Sequence, residues 1–400
     1  MRLLLENRNI AALFGGLLSN QVSWGMNALF TPLFLDELGA GPTLIGITMG
    51  VPLFAQPLLI LIAGSVAERV PPRRLMLATR VVVMLALVGA LFSQTWWQLA
   101  LSLFFFVSGA LMNPAVSRSI ADSTTERERA QAFTIVYAVG SSTALLLAPA
   151  AGGLVASGFG LRWIYLAGLL FQIISFLAFT RLRLPKTHHT MEAPATYRDA
   201  LAYRPLVLVS LFLFGTMLVG FIGFALLPKF LHDVHDLSVG SIGQLGIIAA
   251  VSSTLVGLAG TRSRAARRPM DGVVVVMTLV VLSFVLFLLG ASTWVFALAY
   301  LAGGCYWVSW AFVDGVVALS TPVRLRTRAF AFSEIFGSAG LALGTVLAGM
   351  TYDLAPRLPL LVGLLGTLVL LPAGYLIRGY VGRVRLPDTP AHGEVPAIAD

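Results

Sequence analysis

Charge is scarce in this chain. Only 11% of its 400 residues are Asp, Glu, Lys or Arg, while 58% are hydrophobic. A soluble protein of this length carries roughly a quarter of its residues as charges to cover its surface, so the shortage argues against a water-soluble enzyme. Cysteine is nearly absent too. The single thiol, Cys305, excludes an intrachain disulfide and any cysteine-based metal site, and leaves the redox compartment unread. Acids are fewer than bases, 18 against 27, for a formal charge of +9. In so apolar a chain that excess reports which loops face the cytoplasm, and no nucleic-acid partner is expected. No P-loop pattern occurs, so direct ATP drive is not expected.

What is present in abundance is long apolar runs. The 39 Gly and 20 Pro sit inside them, which lipid-buried helices tolerate. A hydrocarbon core of roughly 30 Å takes about 20 helical residues. Twelve windows fit, near 10–35, 43–66, 75–95, 97–120, 130–156, 162–181, 205–230, 239–260, 271–290, 293–319, 328–352 and 357–380. The first is too long for a cleaved signal peptide, contains Asn20, Gln21 and Asn27, and lacks a small-residue cleavage site. The sequence thus predicts an all-α membrane protein with twelve spanning helices and the lipid bilayer as its surroundings.

Basic residues orient the layout. With both termini cytoplasmic, 24 of the 27 are assigned to the inner side, including Arg69, Arg73, Arg74 and, within the helix-3 window, Arg80, and only Arg162, Lys229 and Arg357 fall outside. That split follows the positive-inside rule. The longest polar stretch, Arg181 to Arg204, lies between helices 6 and 7. We therefore expect two six-helix bundles, 1–184 and 205–385, a cytoplasmic linker at 185–204 and a flexible tail at 386–400. The halves repeat one another. Pro32-Leu-Phe-Leu35 matches Pro228-Lys-Phe-Leu231, Ile45-Gly46 matches Ile242-Gly243, and Arg129-Ala-Gln-Ala-Phe-Thr134 matches Arg328-Ala-Phe-Ala-Phe-Ser333, at offsets of 196, 197 and 199 residues. Paired six-helix halves are a transporter architecture with a site at the interface near the midplane.

Several local patterns resemble the major facilitator superfamily over nearly the whole chain. Gly64-Ser-Val-Ala-Glu68-Arg69, followed by Arg73 and Arg74, is similar to the family's loop 2–3 signature, with Glu for the usual Asp and Val70-Pro71-Pro72 where a glycine turn is expected. Gly260 with Arg267 and Arg268 looks like its degenerate second copy. Asp122 falls where the family often has an acidic partner for the loop arginine. The resemblance implies an inner gate of Gly64, Glu68, Arg69, Arg73, Arg74 and Asp122 that latches the halves while the cavity opens outward. The plainer reading of these arginines is topology alone. Ala148-Pro149-Ala-Ala-Gly152-Gly153 is similar to the helix-5 motif of the family's exporters, although small residues there also serve helix packing. The helix-4 arginine of such exporters would fall at Phe105. The segment from Pro32 to Pro57 also resembles sugar- and organic-acid-importing branches.

Polar residues inside the spans are the candidates for a substrate cavity. Asn20, Trp24 and Asn27 share an arc of roughly 60° on helix 1, with Gln21 on its flank, and Tyr300, Trp307, Trp310 and Asp314 share about 80° on helix 10. Aromatic faces with hydrogen-bonding tips suit flat, amphipathic or cationic small molecules. Packing and interhelical hydrogen bonds are the alternative for each residue. Gln56 and Asn113 are added as single polar positions, while Gln172 and Gln244 carry no site assignment. Asp314 lies about 8–9 Å from the carboxyl end of helix 10, where the helix dipole opposes an anion. We expect it to bind the coupling proton, with Glu334 as a second member. Glu334 also suits a structural role beside Arg324, Arg326 or Arg328 at the start of helix 11.

The cluster His232-Asp233-Val-His235-Asp236 reads as a polar outer turn rather than a metal site, and His188 and His189 belong to the linker. The expected protein is a secondary transporter working by alternating access: a monomer with no cofactor or metal, driven by a proton gradient and exporting amphipathic compounds across the cell membrane. The alternatives are proton-coupled uptake of a sugar or organic acid, a polytopic membrane enzyme for which His232 to Asp236 is the one crowd of acid-base residues, and a receptor without transport.

Overall fold

The structure, a computed structural model, describes residues 2–183, 202–262, 268–321 and 326–384, with residues 60–69 and a few other positions described by backbone alone. The expected linker and tail fall almost entirely outside these residues. Among them there are helices and no strand. Apolar side chains leave the backbone as the only hydrogen-bonding partner in hydrocarbon, and a helix satisfies it within one segment.

In chain order the long helices are α1 (Arg8–Glu37), α2 (Pro42–Arg69), α3 (Pro72–Leu91), α4 (Trp96–Asp122), α5 (Glu126–Phe133 continuing through Thr134–Val139 and Gly140–Phe159), α6 (Trp163–Thr180), α7 (Arg204–His235), α8 (Val239–Arg262), α9 (Pro269–Leu289), α10 (Thr293–Gly303 continuing through Gly304–Trp307 and Val308–Ser320), α11 (Arg326–Leu354) and α12 (Leu358–Val384). Among the described residues, eleven are long and apolar enough to cross a bilayer. The exception is α1. Its 30 residues suffice in length, but Asn20, Gln21, Asn27 and several hydroxyls dilute its apolar content. Side chains such as Leu154, Leu289 and Leu376, each at least 75% exposed, face outward as lipid-contacting residues do.

Two irregularities repeat at the offset of the halves. α4 tightens into a 3-10 segment at Val107–Met112 and α10 does so at Gly304–Trp307, starting 304 − 107 = 197 residues later. The helix pairs α2–α11 and α5–α8 join the halves. A Cβ on Gly46 would lie 2.7 Å from the Thr345 carbonyl oxygen and 3.0 Å from Gly349 Cα, and one on Gly243 would lie 2.8 Å from Gly153 Cα. Backbone packs on backbone at both seams. Gly46 and Gly243 are related by the offset of 197 residues, and Gly153 and Gly349 by 196, so the two seams are copies of one contact.

The seams lie toward the far end of the bundle, where α1 ends and α2 begins, away from the start of α1. Polar contacts between the halves lie there too. Lys229 of α7 is 2.6 Å from Asp36 at the end of α1. Asp353 at the end of α11 accepts from the Thr43 backbone N–H at 3.1 Å and from its hydroxyl. This end is closed.

Candidate functional site

Among the described residues, the first half buries one cation, midway along a spanning helix. Arg80, counted in the sequence with the loop bases, lies nine residues inside α3 and is fully buried. That corrects its count among the bases of the inner side. Its Nη1 donates to the Asn20 Oδ1 of α1 and, at 2.8 Å, to the Gln172 Oε1 of α6, while Nη2 donates to the Gly109 carbonyl of α4 at 3.1 Å. Gln172 Nε2 donates to the same Asn20 oxygen at 3.2 Å. The 3-10 turn of α4 brings Gly109 against the guanidinium, and a Cβ there would stand 3.1 Å from Nη2.

The second half brings two acids together. Asp314 on α10 lies within electrostatic reach of Glu334 on α11, and the indole of Trp310, one turn before Asp314, hydrogen-bonds Glu334. Trp310 also packs against Gly337, where a Cβ would lie 2.9 Å from its ring. The expected pair of Asp314 and Glu334 thus lies on adjacent helices, near enough for their charges to repel. Arg324 lies outside the described residues, as do the side chains of Arg326 and of the following residue.

A third cluster sits at the far end. Lys229 bridges Asp36 to Asp233, the latter at 2.9 Å one turn along α7, and Asp233 accepts from the Tyr352 hydroxyl at 2.9 Å. His232 Nδ1 is 3.0 Å from the Leu237 carbonyl, and His235 packs edge-on between Phe230 and Phe296. The run His232 to Asp236 is an exposed polar turn at the end of α7, as expected, from which Asp233 joins the ion-paired closure and His235 the aromatic one. No group of three or more metal-type side chains is present among the described residues.

The polar arc of α1 divides. Asn27 is buried, donates to the Ser23 carbonyl at 2.7 Å and packs over Gly168 of α6, and Asn20 turns to Arg80. Both amides face into their own half. Trp24, between them, is 41% exposed. On α10, Tyr300 is buried with its ring 5.3 Å from Phe287 of α9, whereas Trp307 is 39% exposed and stands edge-on to Phe221 of α7 at 5.3 Å. Gln21 and Gln56 are half-buried and Asn113 is exposed. Trp24 and Trp307 are the exposed members of the two arcs. The amides and Tyr300 belong to the walls behind them.

A family model for the Major Facilitator Superfamily matches residues 13–345. The chain belongs to the Major Facilitator Superfamily. It is accordingly a multi-pass membrane protein of a transporter family. A relative from Bacillus subtilis (strain 168), described as an uncharacterized MFS-type transporter, is 29% identical over 204 residues, 50% of this chain and 49% of the relative. The match spans about half the length of that relative. Among solved structures, a bacterial homologue of the human lysosomal transporter Spinster, inward-facing and occupied, aligns over 96% of this chain and 98% of its own with a TM-score of 0.72 at 17% identity. A peptide transporter in complex with sulfate aligns over 95% and 96% with a TM-score of 0.74 at 14% identity. At such identities the likeness is one of fold.

The residues that resemble superfamily motifs fall in two regions. Pro149, Gly152 and Gly153 lie in α5: Gly152 packs on Phe30 and Met26 of α1, while Gly153 and Pro149 meet Gly243 and Gly246 of α8. The helix-5 motif is thus a packing element, and it forms the seam between halves. At the other end, Asp122 lies 3.7 Å from Arg118 with its side chain 5% exposed, Arg73 donates to the Thr180 carbonyl at 2.6 Å within its own half, and Arg74 is exposed. The side chains of Glu68 and Arg69, and any contact of Gly64, lie outside the described residues. Sequence reasoning missed Arg80, Lys229, Asp36 and Tyr352 as site residues. For Arg80 a signal existed, a base five residues beyond Leu75 in an apolar run.

Proposed function

We propose that this member of the superfamily is a secondary active transporter of the cell membrane, exporting small amphipathic molecules in exchange for protons that enter down their gradient, by alternating access. It acts as a monomer, without bound cofactor. The observation that carries this reading is the placing of Asp314 and Glu334 on neighbouring spanning helices of one half, close enough for their charges to interact. Two carboxylates brought together in hydrocarbon form a site that one proton can occupy or leave. Movement between the halves then requires the far-end closure around Lys229 and the glycine seams to open and re-form. Export is supported by the Pro149-to-Gly153 motif at the α5–α8 seam. Uptake of an organic acid is the second reading, favoured over a sugar by the buried guanidinium of Arg80.

Cells expressing the wild type or Asp314→Asn, with and without a protonophore, provide the test. Fluorescent amphipathic dyes of each charge type serve as probes. The wild type is expected to lower accumulation of at least one dye, the protonophore to abolish that effect, and Asp314→Asn to slow it about tenfold or more, the scale of losing an obligatory proton step. Export by Asp314→Asn at the wild-type rate, with the same protonophore response, would overturn the proton assignment.

A further inference from the structure

We propose that Arg80 is the anion-recognising group of a substrate subsite in the first half, and that it takes the carboxylate of an otherwise amphipathic molecule. The inference deepens the transporter reading and rests on it, but not on where the proton binds.

A guanidinium carries five N–H donors. Three are used, by Asn20, Gln172 and Gly109, and Nε has no partner although it is fully buried. Every acceptor is neutral. Among the described residues no carboxylate lies within ion-pair reach of Arg80, whereas Arg118, Lys229 and Arg378 all have one. Burying a cation without a counter-charge is costly, and neutral hydrogen bonds offset only part of that. Holding α3 against α1, α4 and α6 needs no charge, since an apolar side chain of similar volume packs as well or better. The charge and the two spare donors are matched by an anion.

The arrangement of Asn20 identifies where that anion goes. Its single amide oxygen gathers donors from both Arg80 and Gln172, as one oxygen of a carboxylate would. Asn20 is half-buried and lies one turn from the exposed Trp24, so it forms the accessible side of the cluster. A substrate carboxylate that displaces the Asn20 amide meets Arg80 and Gln172 Nε2 together, with the Trp24 indole alongside for the apolar part of the molecule. Planar two-point recognition of this kind is what arginine supplies and lysine does not.

Thermal unfolding of the purified full chain tests the assignment, with benzoate and hexanoate compared to the neutral isosteres benzamide and hexanamide. The acids are expected to raise the wild-type midpoint by roughly 2–4 °C at saturation, and the amides to leave it unchanged. Arg80→Gln should lose the response and Arg80→Lys should need at least about tenfold more acid. Asn20→Asp supplies a carboxylate from within: it should raise the midpoint without ligand and abolish the response to acids, which guards against Arg80→Gln simply failing to fold. Asp314→Asn should respond to acids as the wild type does, so failure of the proton reading and of this one are separable. The proposal is overturned if Arg80→Gln or Asn20→Asp keeps the wild-type response, if the amides act as well as the acids, or if the wild type responds to neither.

Discussion

Lys229 lies 2.6 Å from Asp36 of the other half and 2.9 Å from Asp233 of its own helix, with 7% of its side chain exposed. Both carboxylates are partly open to solvent, so removing the cation weakens the closed far end by about 1–3 kcal/mol, between the surface and fully buried values. Leu29, packed beside Gly246 at the α5–α8 seam, reports the change. Maleimide labelling of Leu29→Cys should accelerate at least about fivefold when Lys229→Ala is added. Equal rates would mean that the cluster does not hold the far end shut. The sequence offered Lys229 only as one of three outer bases, because its partners, Asp36 and Tyr352, are 193 and 123 positions away. Arg80 was hidden differently. It follows Arg69, Arg73 and Arg74 so closely that it reads as the tail of a loop cluster, and only its place in the apolar run from Leu75 sets it apart.

At the scale of helices, spacing told which residues share a face but not what that face meets. Asn20 and Asn27 do share a face of α1, yet it packs on α6 and Arg80, because an amide buried in lipid finds a partner on the nearest helix as readily as in a cavity. The long helices themselves were legible, since runs of about 20 apolar residues have one stable form in hydrocarbon. Ile45-Gly46 and Ile242-Gly243 were legible as a repeat but not as contacts, which depend on Gly349 and Gly153 across the seam. A methyl group on Gly243 has backbone 2.8 Å away and no flexible side chain to move. Gly243→Ala should therefore disfavour the closed far end by about 1–3 kcal/mol, the range of overpacking. Gly46→Ala should do the same at the matching seam. Each variant is expected to speed Leu29→Cys labelling, and unchanged labelling in both would show that the seams do not gate.

For the whole molecule, the division of labour follows the repeat. The first half holds a buried base and the second a pair of acids, while the 3-10 turns of α4 and α10 mark equivalent depths in the two. A duplicated bundle can in this way bind two unlike ions and couple them through one rocking motion. Ion binding moves that equilibrium only if the two conformations bind the ion with different affinity. Protonation of the Asp314–Glu334 pair is the event that should do so. Spin labels at Gly158 and Ala291, one at the far end of each half and both in open positions, report the opening directly. Their distance distribution, measured in lipid discs at mildly acidic and mildly alkaline pH, should shift with pH in the wild type and stay fixed in Asp314→Asn. A pH shift that survives in Asp314→Asn, or none in the wild type, would contradict proton-driven alternating access through this pair.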